Sequence, residues 1–445
     1  MDKDERPVLE IFRVGRTPKA TEGGLQRKGT PHVQSRDAKR CNGKIECFFR
    51  ALKYWQRGAL LFFPPSTPGA LSSPCQFAYF ALKLKLQSQR GFCPGMVRKG
   101  TMVSPSSPLH YLPFEGDLKQ YDELIRKLED LSKTNRMDLA EEIASQRKKR
   151  EEFLRSTYSS LTPWERIQVS RHIQRPQTRD YIDLICAEFL ELHGDRYFSD
   201  DQAIVTGLAR MAGQRVMLVG QHKGRDVRER SLCNFGSPQP EGYRKALRKM
   251  CLAEKLKLPI VCLIDTKGAA PDIGAEERGQ SQAIAYNLMV MSGLRVPVLC
   301  VVIGEGGSGG ALGIGVGDRL LIQEYAYFSV IAPEGCAAIL WKDAKPEEQA
   351  RNWPKAAAAL KITAPELKAL GVVDGIIPEP LGGAHRDPVA AAQFLQQALD
   401  QSLRELVAKP LELLLKERYQ RLRSMGKYRE TALAANAARG TAQPI

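Results

Sequence analysis

Two short apolar runs in this chain end in the same way. Ile260–Ile264 runs out into Asp-Thr-Lys-Gly-Ala-Ala-Pro-Asp-Ile-Gly-Ala-Glu-Glu-Arg-Gly-Gln (265–280). Val298–Ile303 runs out into Gly-Glu-Gly-Gly-Ser-Gly-Gly-Ala-Leu-Gly-Ile-Gly-Val-Gly-Asp (304–318). Apolar runs this short have the length of buried strands. Helical spacing follows the first loop: Ala283, Asn287, Val290 and Met291 share one face, with Ile284 and Leu288 beside them. A strand, a glycine turn and a helix start make the step at which α/β proteins place their chemistry. Further runs at Val216–Val219 and Leu320–Ile322, and a helix face of Tyr243, Leu247, Met250 and Ala253, extend the pattern. From Tyr181 onward the chain therefore reads as one large α/β unit.

Three chemistries suit glycine loops at strand exits. Asp265-Thr-Lys-Gly268 has the DxxG form of a nucleotide switch. Such a switch needs an upstream GxxxxGK[ST] phosphate loop, and the chain contains no GK[ST] tripeptide. Gly304-Glu-Gly-Gly-Ser-Gly309 satisfies GxGxxG, the dinucleotide fingerprint. That fingerprint expects an acidic residue closing a second strand about 20 positions on. Asp318 and Glu324 lie in that region, but neither closes a clean apolar run. The third possibility uses the loops as backbone donors. Glycine lets a ligand approach the amides closely, and amides at a helix start hold an oxyanion. Such a site needs no side-chain nucleophile. Ser308 has neither a flanked GxSxG elbow nor an evident His–Asp pair. A plainer alternative is that the glycines only permit tight strand–helix packing, and spacing does not separate these two.

Other polar groups carry less information. His222, Lys223, Arg225, Arg228 and Arg230 cluster after the run Val216–Val219, as a solvated loop or as a contact for phosphate or a partner. Glu276 and Glu277 suit a helix start, where the macrodipole favours acidic side chains. His172, His193 and His385 lie in separate segments without metal-ligand spacing. The ten cysteines include no CxxC, and Cys262 and Cys300 sit inside apolar runs. Reduced, buried thiols in a cytoplasmic protein are expected, with no metal bound by this chain.

The net charge of +16 suggests nucleic acid, but its distribution does not. Residues 1–110 hold 19 Lys+Arg against 7 Asp+Glu, whereas the other 335 residues hold 47 against 43. Residues 1–101 mix basic clusters with Gly, Pro and Ser and lack sustained periodicity. They are expected to be a disordered basic leader, or an upstream extension with the natural start at Met102. Gly58–Leu82 is uncharged, but Pro64, Pro65, Pro68 and Pro74 interrupt it, so no membrane helix is expected. Leu118, Tyr121, Ile125 and Leu128 repeat at helical spacing and predict a helical hairpin from Asp117 to about Ser156. A last helical segment is expected over Ala391–Arg423, then a frayed, Ala-rich end at Thr431–Ile445.

Longer strings carry a family resemblance. Gly220-Gln-His-Lys-Gly-Arg225 is close to GHQKGR. It is followed by NFGSPQPEGYRKALR (Asn234–Arg248), AEERGQSQAIAYNL (Ala275–Leu288), VIGEGGSGGALGIGVGD (Val302–Asp318), EGCAAILWK (Glu334–Lys342) and IIPEPLGGAHRDP (Ile376–Pro388). RHIQRP (Arg171–Pro176) and GDR (Gly194–Arg196) fit as well. From about Leu112 to Arg423 the chain resembles the α subunits of bacterial-type acetyl-CoA carboxylase carboxyltransferase.

The resemblance implies a crotonase-like ββα superhelix. It divides the chain into a leader (1–101), an N-terminal helical segment (112–160), a carboxyltransferase domain (161–405) and a C-terminal helix and tail (406–445). It implies a partner β subunit in an α2β2 assembly, with zinc held only in that β subunit. Carboxybiotin would arrive on a separate biotin carboxyl carrier protein, charged by an ATP-dependent biotin carboxylase. The carboxyl group would pass to acetyl-CoA, giving malonyl-CoA for fatty-acid synthesis, with neither membrane nor nucleic acid as partner. The backbone of Gly306, Gly307, Gly309 and Gly310 would form the oxyanion hole, flanked by Gly268 and Ala269. His222, Lys223 and Arg225 would meet phosphate or the partner subunit.

The departures fall on the first loop, where the family reads DTPGAYPGxGAEERGQ. Lys267 stands in place of Pro and is expected to loosen the turn. Ala270 in place of Tyr removes an aromatic surface. Asp272 stands where Gly would allow positive φ or close approach, and is expected to tolerate that only moderately.

Overall fold

The computed structural model describes residues 110–135, 138–211, 213–342 and 345–426. The expected leader, the uncharged stretch Gly58–Leu82 and the expected frayed end lie outside these residues. The described chain opens with the hairpin that the Leu118 spacing predicts, α1 (Gly116–Asn135) and α2 (Ala140–Ser159). Its apolar faces meet at Leu118, Leu154 and Tyr158, which pack on Val169 and Tyr325. Glu115, fully buried before α1, accepts hydrogen bonds from the Tyr158 hydroxyl (2.7 Å) and from Arg386 (2.7 Å). These bonds compensate the buried carboxylate and tie the hairpin to the rest of the fold.

After the hairpin come α3 (Pro163–Ser170) and α4 (Thr178–Ile185), then β1 (Glu188–Glu191), β2 (Ile204–Met211) and β3 (Gln214–Gln221). The order continues with α5 (Val227–Leu232), α6 (Pro240–Leu256), β4 (Ile260–Thr266), α7 (Ile273–Glu277), α8 (Gln280–Gly293), β5 (Val298–Gly307) and α9 (Ser308–Leu312). The remaining elements are β6 (Arg319–Gln323), β7 (Tyr327–Ser329), α10 (Pro333–Leu340), α11 (Pro346–Leu360), α12 (Ala364–Ala369), β8 (Gly375–Ile377), α13 (Pro388–Val407) and α14 (Leu411–Ser424). One sheet has the order β1-β2-β3-β4-β5-β6-β8, antiparallel up to β3 and parallel beyond it. The α/β class read from the sequence is the observed one. β2, β3 and α6 form a strand–strand–helix unit of the kind the expected superhelix repeats.

The parallel strands β4, β5 and β6 carry unbroken apolar runs because both faces are covered. On one face Cys262, Ile264, Cys300 and Val302 meet Tyr243 and Met250 of α6 and Met291 of α8. On the other face Val261, Leu263, Val301 and Ile303 meet Tyr181 of α4 and Leu395, Leu399 and Leu403 of α13. β5 has two neighbours along one edge. Its first half pairs with β6, and its exit, Glu305–Gly307, pairs with β7.

The last helical segment consists of two helices, because Pro410 caps α14 and ends the continuity after Val407. α14 is fastened by Arg418, which is fully buried. Arg418 donates to Asp318 (2.8 and 2.7 Å) and to the carbonyls of Met291 (3.1 Å), Leu294 (2.7 Å) and Val296 (2.8 Å). All five guanidinium N–H groups are thereby used.

Candidate active site

The exits of β4 and β5 lie against each other. Thr266 pairs with Gly306 after a register shift that follows Ile264. The contact admits no side chains at two points. A β-carbon on Gly307 would stand 2.2 Å from the Lys267 carbonyl oxygen, and one on Gly310 would stand 2.4 Å from the Ala269 nitrogen. Gly306 is closed in the same way by Phe328 of β7, at 2.4 Å. Gly309 differs. A β-carbon there would meet Ile284 methyls at 3.8 and 3.9 Å, ordinary van der Waals contact, so this half-buried position has room for one. The amides of Gly309 and Gly310 lie in the first turn of α9, where helical geometry leaves N–H groups without an intrahelical acceptor.

The first loop is held by its backbone. The Thr266 hydroxyl donates to the Gly236 carbonyl (2.6 Å) and accepts from the Gly268 N–H (3.1 Å). Gly268 has φ +151°, which favours glycine. The Ala270 N–H reaches the Pro238 carbonyl (3.0 Å), and Gln280 donates to the carbonyls of both Pro238 (2.8 Å) and Ala270 (3.0 Å). Lys267 is exposed, with its ammonium 5.9 Å from the Phe235 ring centroid.

Asp272 corrects the strain expected of it. Its φ is −76°, an ordinary value, and it is the N-cap of α7. One carboxylate oxygen accepts the Ala275 N–H at 2.9 Å and the other accepts from Gln239 at 3.0 Å. These bonds hold the carboxyl below its usual range.

Beside the glycines lies a charged layer, buried at Asp265 and Glu305 and half-buried at Lys223 and Arg171. Lys223 Nζ stands 2.6 Å from Asp265 Oδ1 and 2.8 Å from Glu305 Oε1. Glu305 also accepts from Arg171 (2.7 Å) and from the Tyr327 hydroxyl (2.8 Å). Arg171 pairs in turn with Glu334. Burial alone would raise the Glu305 carboxyl, but Lys223 and Arg171 hold it down to about 2. It therefore stays ionised at neutral pH and is no general base. Burial alone would lower the Lys223 ammonium, but Asp265 and Glu305 raise it above its ordinary range. Behind this layer Arg175 forms a buried two-point pair with Glu379 (2.8 and 2.6 Å) and donates to the Ile303 carbonyl (2.8 Å).

The basic cluster is divided by the fold. Lys223 faces the glycine exits through Asp265 and Glu305. His222 is buried and pairs with Glu229 (2.9 Å), and Arg225 pairs with Asp180. His222 and Arg225 thus each sit against a local carboxylate, apart from Gly306–Gly310. His193 is exposed beside Asp200, while His172 and His385 stack on each other with centroids 3.8 Å apart. Among the described residues, no group of three or more His, Cys, Asp or Glu is placed to hold a metal ion. No described helix is long and apolar enough to cross a membrane.

Gln221 was not singled out by spacing, yet it joins the two loops. It is fully buried, accepts the Asp265 N–H (3.0 Å) and donates to the Gly310 carbonyl (2.8 Å). Tyr243 gives the same carbonyl a second hydrogen bond (3.1 Å). The signals in the sequence were an amide at the end of an apolar run and its place in the string Gly220–Arg225.

The family model described as acetyl co-enzyme A carboxylase carboxyltransferase-like matches residues 111–426. The chain belongs to this family. Among curated relatives, the acetyl-coenzyme A carboxylase carboxyl transferase subunit alpha of Methylococcus capsulatus is 54% identical over 324 residues, covering 73% of this chain and 99% of the relative. The subunit of the same name from Rhodopirellula baltica is 52% identical over 320 residues, covering 72% and 98%. Among solved structures, transcarboxylase 12S aligns with a TM-score of 0.44 at 20% identity, over 54% of this chain and 43% of that one. The β subunit of P. aeruginosa geranyl-CoA carboxylase aligns with a TM-score of 0.41 at 21% identity, over 53% and 43%. The glycine exits and the charged layer below them all lie within the matched carboxyltransferase residues.

Proposed function

We propose that this chain is the α subunit of an acetyl-CoA carboxylase carboxyltransferase, working in the cytoplasm with a zinc-bearing β subunit. It would take the carboxyl group from N1-carboxybiotin, delivered by a carrier protein that a biotin carboxylase charges, and pass it to acetyl-CoA. In that transfer the N1–carboxyl bond breaks and a carbon–carbon bond forms at the acetyl methyl group. The methyl proton ends on the departing ureido group, so no side-chain base is needed. Negative charge develops on the ureido oxygen and on the thioester oxygen. Each requires preorganised donors, and loss of one such donor typically lowers the rate by roughly 10²–10³-fold.

The glycine exits fit the biotin side of this reaction. The observation that carries the assignment is half-buried Gly309, which alone of Gly306, Gly307, Gly309 and Gly310 has room for a β-carbon, beside amides in the first turn of α9 and next to Gly310, which bears on the Gly268–Ala269 backbone. The ionised Glu305 and its cations hold the strand exit below. Gly306, Gly307 and Gly310 let the two loops approach, while Gly309 and Gly310 supply amides to the ureido oxygen. Lys223 acts through Asp265 and Glu305. His222 and Arg225 brace the neighbouring loop, on which a partner subunit or a CoA phosphate would rest.

The test is the reverse reaction. Co-purified with a carboxyltransferase β subunit, the chain should convert malonyl-CoA and a soluble biotin derivative to acetyl-CoA and the carboxylated derivative. A well-folded complex that shows no exchange would refute the proposal.

A further inference from the structure

The geometry points to Gln221 as a positioning residue for carboxyl transfer, a clamp that sets the two glycine exits against each other. The inference rests on the function proposed above. Gln221 is the last residue of β3, and none of its side chain is exposed. Its two polar atoms serve opposite walls of the site. Oε1 accepts the Asp265 N–H (3.0 Å) at the exit of β4, and Nε2 donates to the Gly310 carbonyl (2.8 Å) in α9. Exchanging the two atoms would set N–H against N–H and oxygen against oxygen, so the partners fix the amide orientation.

Gly310 needs an outside donor. The Ile314 N–H, which an α-helix would place on this carbonyl, goes to the Ala311 carbonyl instead (3.3 Å). Gln221 and Tyr243 take its place, and a buried carbonyl left without donors would be costly. The carbonyl so held belongs to the residue whose α-carbon bears on Gly268 and Ala269. At its other end the clamp continues, because the Asp265 carboxylate accepts the Glu305 N–H at 2.9 Å, immediately before Gly306. One side chain thereby sets the spacing of the amides on which developing charge must rest. Misplaced donors weaken transition-state stabilisation more than ground-state binding.

The experiment uses the α–β complex and the malonyl-CoA exchange described above. Gln221→Met keeps the length of the side chain and removes both hydrogen bonds. It should lower kcat by about 10- to 100-fold with KM for malonyl-CoA little changed. Gln221→His retains one donor and one acceptor and should recover much of the loss. Gln221→Glu accepts from Asp265 but donates to Gly310 only when protonated, so its activity relative to the parent should rise as pH falls. A folded Met variant with full kcat, a loss confined to KM, or a Glu variant whose pH profile parallels the parent would each overturn the clamp. An inactive parent complex would instead remove the proposed function.

Discussion

The carbonyl oxygen of Lys267 stands 2.2 Å from where a β-carbon on Gly307 would be built. The two strand exits thus touch through backbone, and that contact separates glycines needed for packing from Gly309, which has room for a β-carbon. Gly307→Ala cannot be absorbed by a side-chain movement and should destabilise the protein by roughly 1–3 kcal/mol. Gly309→Ala meets nothing closer than 3.8 Å and should leave the thermal midpoint nearly unchanged. Its methyl group would pack beside Ile284, add bulk next to the first-turn amides of α9 and should slow transfer. Melting curves and exchange rates on both variants check this. A fully active Gly309→Ala protein would remove Gly309 from the ligand side.

Lys223 is the cation shared by Asp265 and Glu305, with largely buried partners. Lys223→Met leaves two carboxylates facing each other with Arg171 alone to balance Glu305. Removing one partner of a buried ion pair typically costs about 3–5 kcal/mol. The deficit should shrink between pH 7 and pH 5, because carboxylates so placed raise each other's affinity for a proton. Urea unfolding of parent and variant at both pH values measures it. An equal deficit at both would mean that the carboxylates relax apart.

At Asp272 the expectation is reversed by the cap geometry. Asp272→Ala should lose about 1 kcal/mol, the usual worth of an N-cap, while Asp272→Gly should lose only a few tenths. The glycine of the family string would then be tolerated, and turnover with either residue should be similar. Denaturant midpoints of the two variants decide the order. A larger loss for Gly than for Ala would contradict capping by Asp272.

His172 gives the fold an acid-sensitive joint. Its Nε2 bonds the His110 carbonyl (2.9 Å), its Nδ1 accepts the Gln174 N–H (3.2 Å), and its ring stacks on His385. Burial pushes its pKa down from 6.5 to about 4, and His385 is pushed well below its ordinary value for the same reason. Between these values the unfolded chain binds the proton and the folded chain does not. Stability contributed by the neutral ring is therefore full above about pH 6.5 and falls as the pH drops toward 4, by roughly 3 kcal/mol in total for His172. Urea midpoints at pH 7 and pH 5 should differ less in His172→Gln than in the parent. An unchanged difference would exclude this histidine as a source of acid sensitivity.

Much of the sheet was legible before the fold was known. Ile260–Ile264, Val298–Ile303 and Leu320–Ile322 are unbroken apolar runs because both sheet faces are covered, and the runs coincide with β4, β5 and β6. β2 was not legible, since Thr206, Gly207 and Arg210 interrupt its apolar pattern. Pro410 breaks what periodicity presents as one helical segment.

By itself, the sequence determined the strand–glycine–helix steps, the helical hairpin and the family, because periodicity and long ordered strings are local properties. Only the tertiary structure decided which glycines are closed by their neighbours and which one has room for a β-carbon. It also decided that Lys223 belongs to Asp265 and Glu305 while Arg225 belongs to Asp180, and that Gln221 joins both exits. Those facts depend on contacts between residues 40 to 90 positions apart, from Asp265–Glu305 and Gln221–Asp265 to Gln221–Gly310. The packing of the sheet sets such distances, and no spacing along the chain records them.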